Sequence, residues 1–331
     1  MKKVLITGSS GFIGQKMCCI CSDDVNVIAF DNVASLDSKE NVIPMKGNIT
    51  ENDLLESVCN KYRPAFVLHC AGIAHQKIGN INLEEYQRVN SLATENLAKA
   101  AIVANPDVHF VFLSSISVYG EDNIKGSVSE GCKCNPSSDY ANSKLDAEKR
   151  LRKLYDSGEL KKIDILRLAP VYDSDWSLNL DRRVFAPKKI AYIKFGSGEQ
   201  EMSAVSRQNL VDFIDYRLKQ EEDNSTGKPF CNIFNVCDEK PYKFEEMIRV
   251  FKQSKYHPNR LVVRAPLSLV RLATRLAGLI LRSKRQWLYS CYDKLAYSLV
   301  FDNKRMLETG FRPKHNLESV FLGKEGSDVL C

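Results

Sequence analysis

The chain has 331 residues, 44% of them hydrophobic and 27% charged, with a formal net charge of +6. This length buries a large core as one broad domain or two lobes, and the balance excludes collagen-like, disordered and low-complexity classes. The longest apolar stretches are too short or too interrupted by arginine to span a bilayer, and the start of the chain runs into a strand without a signal-peptide pattern, so a cytoplasmic protein is expected.

The first element is the apolar run Val4, Leu5 and Ile6, as a buried parallel strand requires, followed by TGSSGFIGQ and a segment able to continue as a helix over 11–22. Gly8, Gly11 and Gly14 therefore sit at a strand-to-helix turn. The first permits the tight turn, the second leaves room for a pyrophosphate, and the third lets the helix pack close to the strand. Free N–H groups at the helix start face the phosphate charge. A second apolar run, over 25–30, ends at Asp31, whose carboxylate can accept both ribose hydroxyls of an adenosine half but repels a 2′-phosphate. That favours NAD over NADP. The glycines alone also fit a turn with no ligand; strand, helix and acid together weigh against it.

Strand-like runs at 42–45, 65–70, 108–114 and 163–168 then alternate with helical segments, the beat of a doubly wound parallel α/β sheet. Thr50 and Asn82 are placed to cap the helices that follow, each with an acid three residues later, Asp53 and Glu85. In the second helix Leu83, Tyr86, Val89, Ala93, Leu97, Ala100 and Ala104 recur on one face, as core against a sheet should. His69, in an apolar strand, reads as structural. Beyond about residue 172 the beat weakens into longer loops, a run at 191–195, a helix near 208–218, a strand near 230–236 and further helices. The expected organisation is a Rossmann-type domain over 1–172 and a smaller C-terminal α/β substrate-binding lobe over 173–331, with returns to the first domain allowed. Eleven cysteines, an odd number without histidines at zinc-ligand spacing, read as reduced thiols, and no metal site is expected.

Chemistry enters at the end of the fifth strand, VFLSSISVYGE, followed by SDYANSK. Tyr140 and Lys144 stand four apart at the start of a helix, so both project from one face. A nearby ammonium stabilises phenolate and makes the tyrosine a usable base, while Ser115 at the C-terminal edge of the sheet can hydrogen-bond the hydroxyl that Tyr140 deprotonates. Tyr-x-x-x-Lys arises by chance on any helix; its weight comes from the glycine turn, Asp31 and the upstream serine.

With these motifs the sequence resembles the extended short-chain dehydrogenases/reductases, and within them the nucleotide-sugar epimerases typified by UDP-glucose and UDP-N-acetylglucosamine 4-epimerases. The resemblance implies that TGSSGFIG, with Gly8, Gly11, Phe12, Ile13 and Gly14, is the cofactor turn and that Asp31 ends strand two. It implies cofactor contacts from Asn48 and Ile49, from Ala71 and Gly72 in HCAGIAHQ, and from Asn90 in RVNSLAT. Ser115, Tyr140 and Lys144 become the catalytic set, the last two also holding cofactor, while His75, Ser115, Ser117, Tyr140 and Asn179 become substrate contacts. His75 also fits a polar loop residue, and Trp176 a pocket wall or simple packing. Departures are Asn48 where many members carry Asp, Pro170 where many place an asparagine, and Met202 near a position that often holds an arginine. Ser115, Ile116 and Ser117 replace the Thr-Asp-Glu triplet of the 4,6-dehydratases, which argues against water loss.

The implied reaction is an NAD-dependent 4-epimerisation of a UDP-hexose or UDP-N-acetylhexosamine through a 4-keto sugar. A 4-ketoreductase uses the same residues once and consumes NAD(P)H, and a catalytically silent NAD-binding regulator is a third class; motifs do not separate the first two. Expected partners are the nucleotide sugar and a second copy of the chain, not nucleic acid. Between Glu246 and Asp293 lie ten basic residues and no acid, including Arg249, Arg271, Arg275, Arg282 and Arg285; without them the chain holds 37 bases against 41 acids. Three readings stay open for this segment, PLSLVRLATRLAGLILR included: arginine stems covering a core, an arginine reaching the substrate diphosphate, or peripheral contact with anionic membrane.

Overall fold

A computed structural model describes residues 2–21, 25–33, 40–74, 81–120, 126–223 and 227–323, without the side chains of 221–223. His75, one of the expected substrate contacts, lies outside the described residues. Seven strands form the central sheet: β1 (Lys2–Thr7), β2 (Val25–Asp31), β3 (Val42–Lys46), β4 (Phe66–His69), β5 (His109–Ser115), β6 (Lys162–Leu168) and β7 (Phe230–Val236). They run in the order β7-β6-β5-β4-β1-β2-β3 with every neighbouring pair parallel. Chain order reverses between β1 and β4, the place where the C-terminal ends of such a sheet open a crevice for ligands.

Two cores lie on the two faces, and the period-two alternation of each strand feeds both. Val4, Ile6, Val27 and Leu68 join one core with Met17 of α1 (Phe12–Ile20), and Leu5, Ile28, Phe30 and Val67 join the other with helices from the opposite layer. That layer holds α2 (Asn52–Tyr62), a composite helix and α5 (Asp139–Asp156). The composite runs from α3 (Leu83–Tyr86) through a π-helical turn (Gln87–Leu92) into α4 (Ala93–Ala104). Asn82 caps it as expected, its side chain accepting from Glu85 N at 2.9 Å. The expected apolar stripe is buried from Ala93 onward, but Leu83 is exposed, because the π turn breaks the 3.6-residue period and rotates the helix start out of register. Thr50 does not cap α2: Glu51 occupies that position without a side-chain bond, and Thr50 instead donates to Asn48 Oδ1.

After β6 the chain builds the lobe with α6 (Leu178–Val184), returns to the sheet through α7 (Arg207–Asp223) and β7, and leaves again with α8 (Phe244–Gln253), α9 (Leu267–Ile280) and α10 (Arg285–Ala296). Leu210, Phe213 and Ile214 of α7 belong to the same core as α1. The lobe has its own core of Tyr172, Leu180, Tyr192, Phe251 and Phe321, among others. None of the described cysteines is in a disulfide, and no described helix is long and apolar enough to cross a membrane.

Candidate active site

The glycine turn is shaped by contacts that a side chain would block. Gly8 has φ +70°, and a Cβ there would stand 2.7 Å from Ala71 N; a Cβ on Gly14 would stand 2.1 Å from Gly8 O. No side chain caps α1 at Gly11, so its first-turn N–H groups remain for an anion. Ser9 Oγ is buried beside them and has no hydrogen-bond partner among the described residues. At the end of β2, Asp31 Oδ2 accepts from Ser10 N at 2.9 Å and Oδ1 from Val33 N at 3.1 Å, which fastens the acid to the turn and leaves lone pairs on both oxygens. The open cradle, the orphaned hydroxyl and the acid fit a dinucleotide diphosphate and its ribose. Phe12 packs under Arg207, whose guanidinium lies 4.4 Å from the ring, and 6.1 Å from Trp176. Ile13 packs on the sheet core, and Ile49 is buried in the core of the other face. Asn48 spends its side-chain carbonyl on Thr50, so what remains is an NH2 donor where a carboxylate would accept.

One asparagine organises the loop after β4. Asn90, fully buried in the π turn, accepts from Ile73 N at 2.7 Å and donates to Ile73 O at 2.9 Å and to Ser143 Oγ at 3.0 Å; Ser143 in turn donates to the Tyr140 carbonyl. Gly72 is held so close that a Cβ would meet Asn90 Oδ1 at 2.9 Å. Below it, His69 bridges Thr7 Oγ1 at 2.6 Å and Thr94 Oγ1 at 2.9 Å, tying the strand before the glycine turn to the helix that carries Asn90. Burial and the nearby Lys144 charge push its imidazole down to about 3, so it is neutral.

At the end of β5, Ser115 Oγ accepts from Ser117 N at 3.2 Å and Ser117 Oγ at 2.9 Å. Tyr140 has its ring edge-on to Tyr86 at 6.3 Å. Burial raises the Tyr140 phenol above its ordinary value, the Ser115 hydroxyl opposes this, and Tyr86 adds to it. The expected depression by Lys144 is therefore corrected: Lys144 donates to the Leu113 carbonyl at 2.9 Å, over the Phe112 ring at 4.8 Å, and burial pushes its own ammonium down to about 8. The helix α5 is anchored behind the site by Glu148, which accepts from Ser114 Oγ at 2.5 Å and pairs with Arg167 at 2.6 Å. Ser143 and Glu148 were not singled out from sequence; their signal was their place on α5, three after Tyr140 and four after Lys144.

The structure thus places Gly8, Asp31, Ala71, Gly72, Ser115 and Ser117 at or just beyond the C-terminal ends of β1, β2, β4 and β5, with Asn90, Tyr140 and Lys144 on the helices that pack against them. Asn179 sits half-buried on α6, tied to none of them by a hydrogen bond among the described residues. Met202 is 1% exposed within the lobe core. Ile116 is buried directly after Ser115. A model of the NAD dependent epimerase/dehydratase family matches residues 4–237. The chain belongs to that family. NAD is accordingly its cofactor, and the glycine cradle and Asp31 are the features that fit it.

Among relatives in this family, a UDP-glucose 4-epimerase of Vibrio cholerae is 32% identical over 222 residues, covering 64% of this chain and 65% of that protein. An N-acetyl-alpha-D-glucosaminyl-diphospho-ditrans,octacis-undecaprenol 4-epimerase of Escherichia coli O157:H7 is 27% identical, covering 71% and 70%. The chain therefore spans about two thirds of the length of these relatives. Of solved structures, UDP-glucuronic acid 4-epimerase from Bacillus cereus in complex with NAD superposes with a TM-score of 0.69 at 17% identity, covering 97% of this chain and 96% of that one. UDP-glucose 4-epimerase from Thermotoga maritima with UDP-glucose gives 0.70 at 20% identity, covering 96% of each. Both superpositions show a shared fold over nearly the whole chain.

Proposed function

We propose that the protein is an NAD-dependent 4-epimerase of a nucleotide-linked hexose, with a UDP-hexose or UDP-N-acetylhexosamine as substrate. The observation that carries this is the placement of Ser115 at the end of β5 and of Tyr140 in the first turn of α5, with buried Lys144 one turn further along and buried Ile116 next to Ser115. Tyr140 takes the proton of the sugar 4-hydroxyl as the alcohol becomes a ketone and gives it back as the ketone becomes an alcohol. Ser115 holds the same oxygen and is the group of this chain that favours phenolate. Bound NAD supplies the hydride acceptor and donor at the sugar carbon. Asn90 positions the loop at Gly72 against which the reacting groups close, and Lys144 serves the ribose side of the cofactor. The names of the Vibrio cholerae and Escherichia coli relatives both describe 4-epimerases of a diphosphate-linked sugar, which supports this reading.

The proposal includes a homodimer, supported by Val103 and Leu92, which are exposed on and just before α4; light scattering should give twice the mass of one chain. To test the function, nucleotide is released from purified protein and identified, and intact protein is incubated with UDP-glucose and UDP-N-acetylglucosamine without added cofactor. Interconversion of C4 epimers is expected. Turnover only of a 4-keto sugar, with stoichiometric consumption of NADH, would make it the reductase instead.

A further inference from the structure

Four of the five leucines of α9 face away from the protein. A lobe helix reading LSLVRLATRLAGLI would ordinarily bury them, yet only Gly278 is buried. The half-buried positions are Leu267, Val270, Thr274 and Ala277, which with Gly278 form one side of the helix. That side packs against α10: a Cβ on Gly278 would meet Arg285 Cγ at 3.3 Å. Leu269, Leu272, Leu276 and Leu279, spaced three, four and three apart, occupy the opposite side, each more than half exposed, and Ile280 beside them is 81% exposed. Trp287, near the start of α10, is 63% exposed. Arg271 and Arg275 fall one turn apart on the rim between the packed and the apolar sides, and Arg282, Lys284 and Arg285 are exposed where α9 passes into α10. No acid occurs between Glu246 and Asp293 to neutralise them.

A leucine stripe of this kind on a soluble chain marks an interaction surface. Its charge selects the occupant. A second copy on the same face would set this unneutralised positive charge against itself. A neutral bilayer would take the leucines but leave the cations without a partner, and a polyanion such as nucleic acid would take the cations but leave the leucines in water. An interface of apolar chains beneath anionic headgroups satisfies both sets at once. We propose that α9 and the start of α10 form a docking surface for an anionic phospholipid bilayer, with the leucine side inserted at the headgroup boundary and the arginines in the headgroup layer. This does not depend on the sugar chemistry proposed above.

The test is flotation of the whole protein with phosphatidylcholine vesicles with and without phosphatidylglycerol. The wild type is expected to float with the anionic vesicles at low salt, to leave them at high salt, and to stay behind with the neutral ones, while Trp287 emission shifts to the blue on binding. Arg271→Gln with Arg275→Gln, and separately Leu272→Glu with Leu276→Glu, should each weaken partitioning by on the order of tenfold or more while circular dichroism and NAD affinity stay as in the wild type. Equal binding to both vesicle types, or a wild type that never floats, overturns the proposal. So does an outcome in which the Leu272→Glu, Leu276→Glu pair halves the mass seen by light scattering without changing vesicle binding, which would assign the face to a second copy.

Discussion

Replacing Asn90 by alanine removes three hydrogen bonds from a fully buried side chain: the pair to Ile73 N and O, and the one to Ser143 Oγ. At about 1 kcal/mol each, the loss is roughly 3 kcal/mol, and it falls on the loop beside the glycine turn and on the start of α5. Gly72→Ala attacks the same clamp from the other side. Its Cβ would stand 2.9 Å from Asn90 Oδ1, whereas the next neighbour, Lys144 Nζ, is at 3.5 Å, an ordinary contact. The alanine alone should therefore cost about 1–3 kcal/mol through overpacking. With Asn90→Ala already present the obstructing oxygen is gone, and adding Gly72→Ala should cost close to nothing. Urea unfolding of the four proteins in the cycle, with NAD titration followed by fluorescence, measures the coupling. Both single variants should lose stability and NAD affinity. Additive effects in the double variant would refute the clamp.

Tyr140→Phe keeps the ring but loses the oxygen that moves the proton, so turnover should fall by about 10²–10⁴-fold with NAD affinity little changed, read by steady-state kinetics beside a binding titration. Asp31→Ser removes the carboxylate that accepts from Ser10 N and opposes a 2′-phosphate; NAD should weaken and NADP gain relative to it, and titration with both cofactors decides the matter. The acid limb of stability should depend on Asp164, which is fully buried. Burial raises its carboxyl, but hydrogen bonds from His109 and the charges of His109 and Arg217 outweigh this and hold it down to about 2, against an ordinary 3.8. A folded value below the unfolded one means stability that is present above the unfolded value and lost as pH falls from about 4 towards 2, on the order of 2 kcal/mol. In Asp164→Asn the urea midpoint should fall less steeply over that window; an identical slope in both proteins would count against the assignment.

The parts legible in sequence were those whose chemistry is local. Gly8, Gly11, Gly14 and Asp31 follow from one strand-turn-helix and the strand after it, and Asn82 caps its helix through a bond spanning three residues. The positions of Ser115 and Tyr140 in the fold were readable because each lies at the edge of a strongly patterned element. What pattern could not supply was direction in three dimensions. Lys144 has the right spacing from Tyr140, but its long side chain reaches the Leu113 carbonyl, 31 positions away. His69 looked structural and is, yet its link between Thr7 and Thr94 spans three elements that only the sheet order brings together. Helix α9 has the period of a core helix, and nothing in that period says that the side with Val270, Thr274, Ala277 and Gly278, rather than the side with Leu269, Leu272, Leu276 and Leu279, faces inward. Asn179 rests on an analogy of short motifs in the lobe, where loops set the geometry.

In the proposed epimerisation one hydride leaves the sugar carbon and returns to its opposite face inside a single site. The most direct measurement uses UDP-glucose deuterated at C4, incubated with purified protein and no added nicotinamide, and the product read by NMR. The C4 epimer is expected with deuterium retained at C4; loss of the label to solvent, or an epimer formed only when NADH is supplied, would rule out the epimerase.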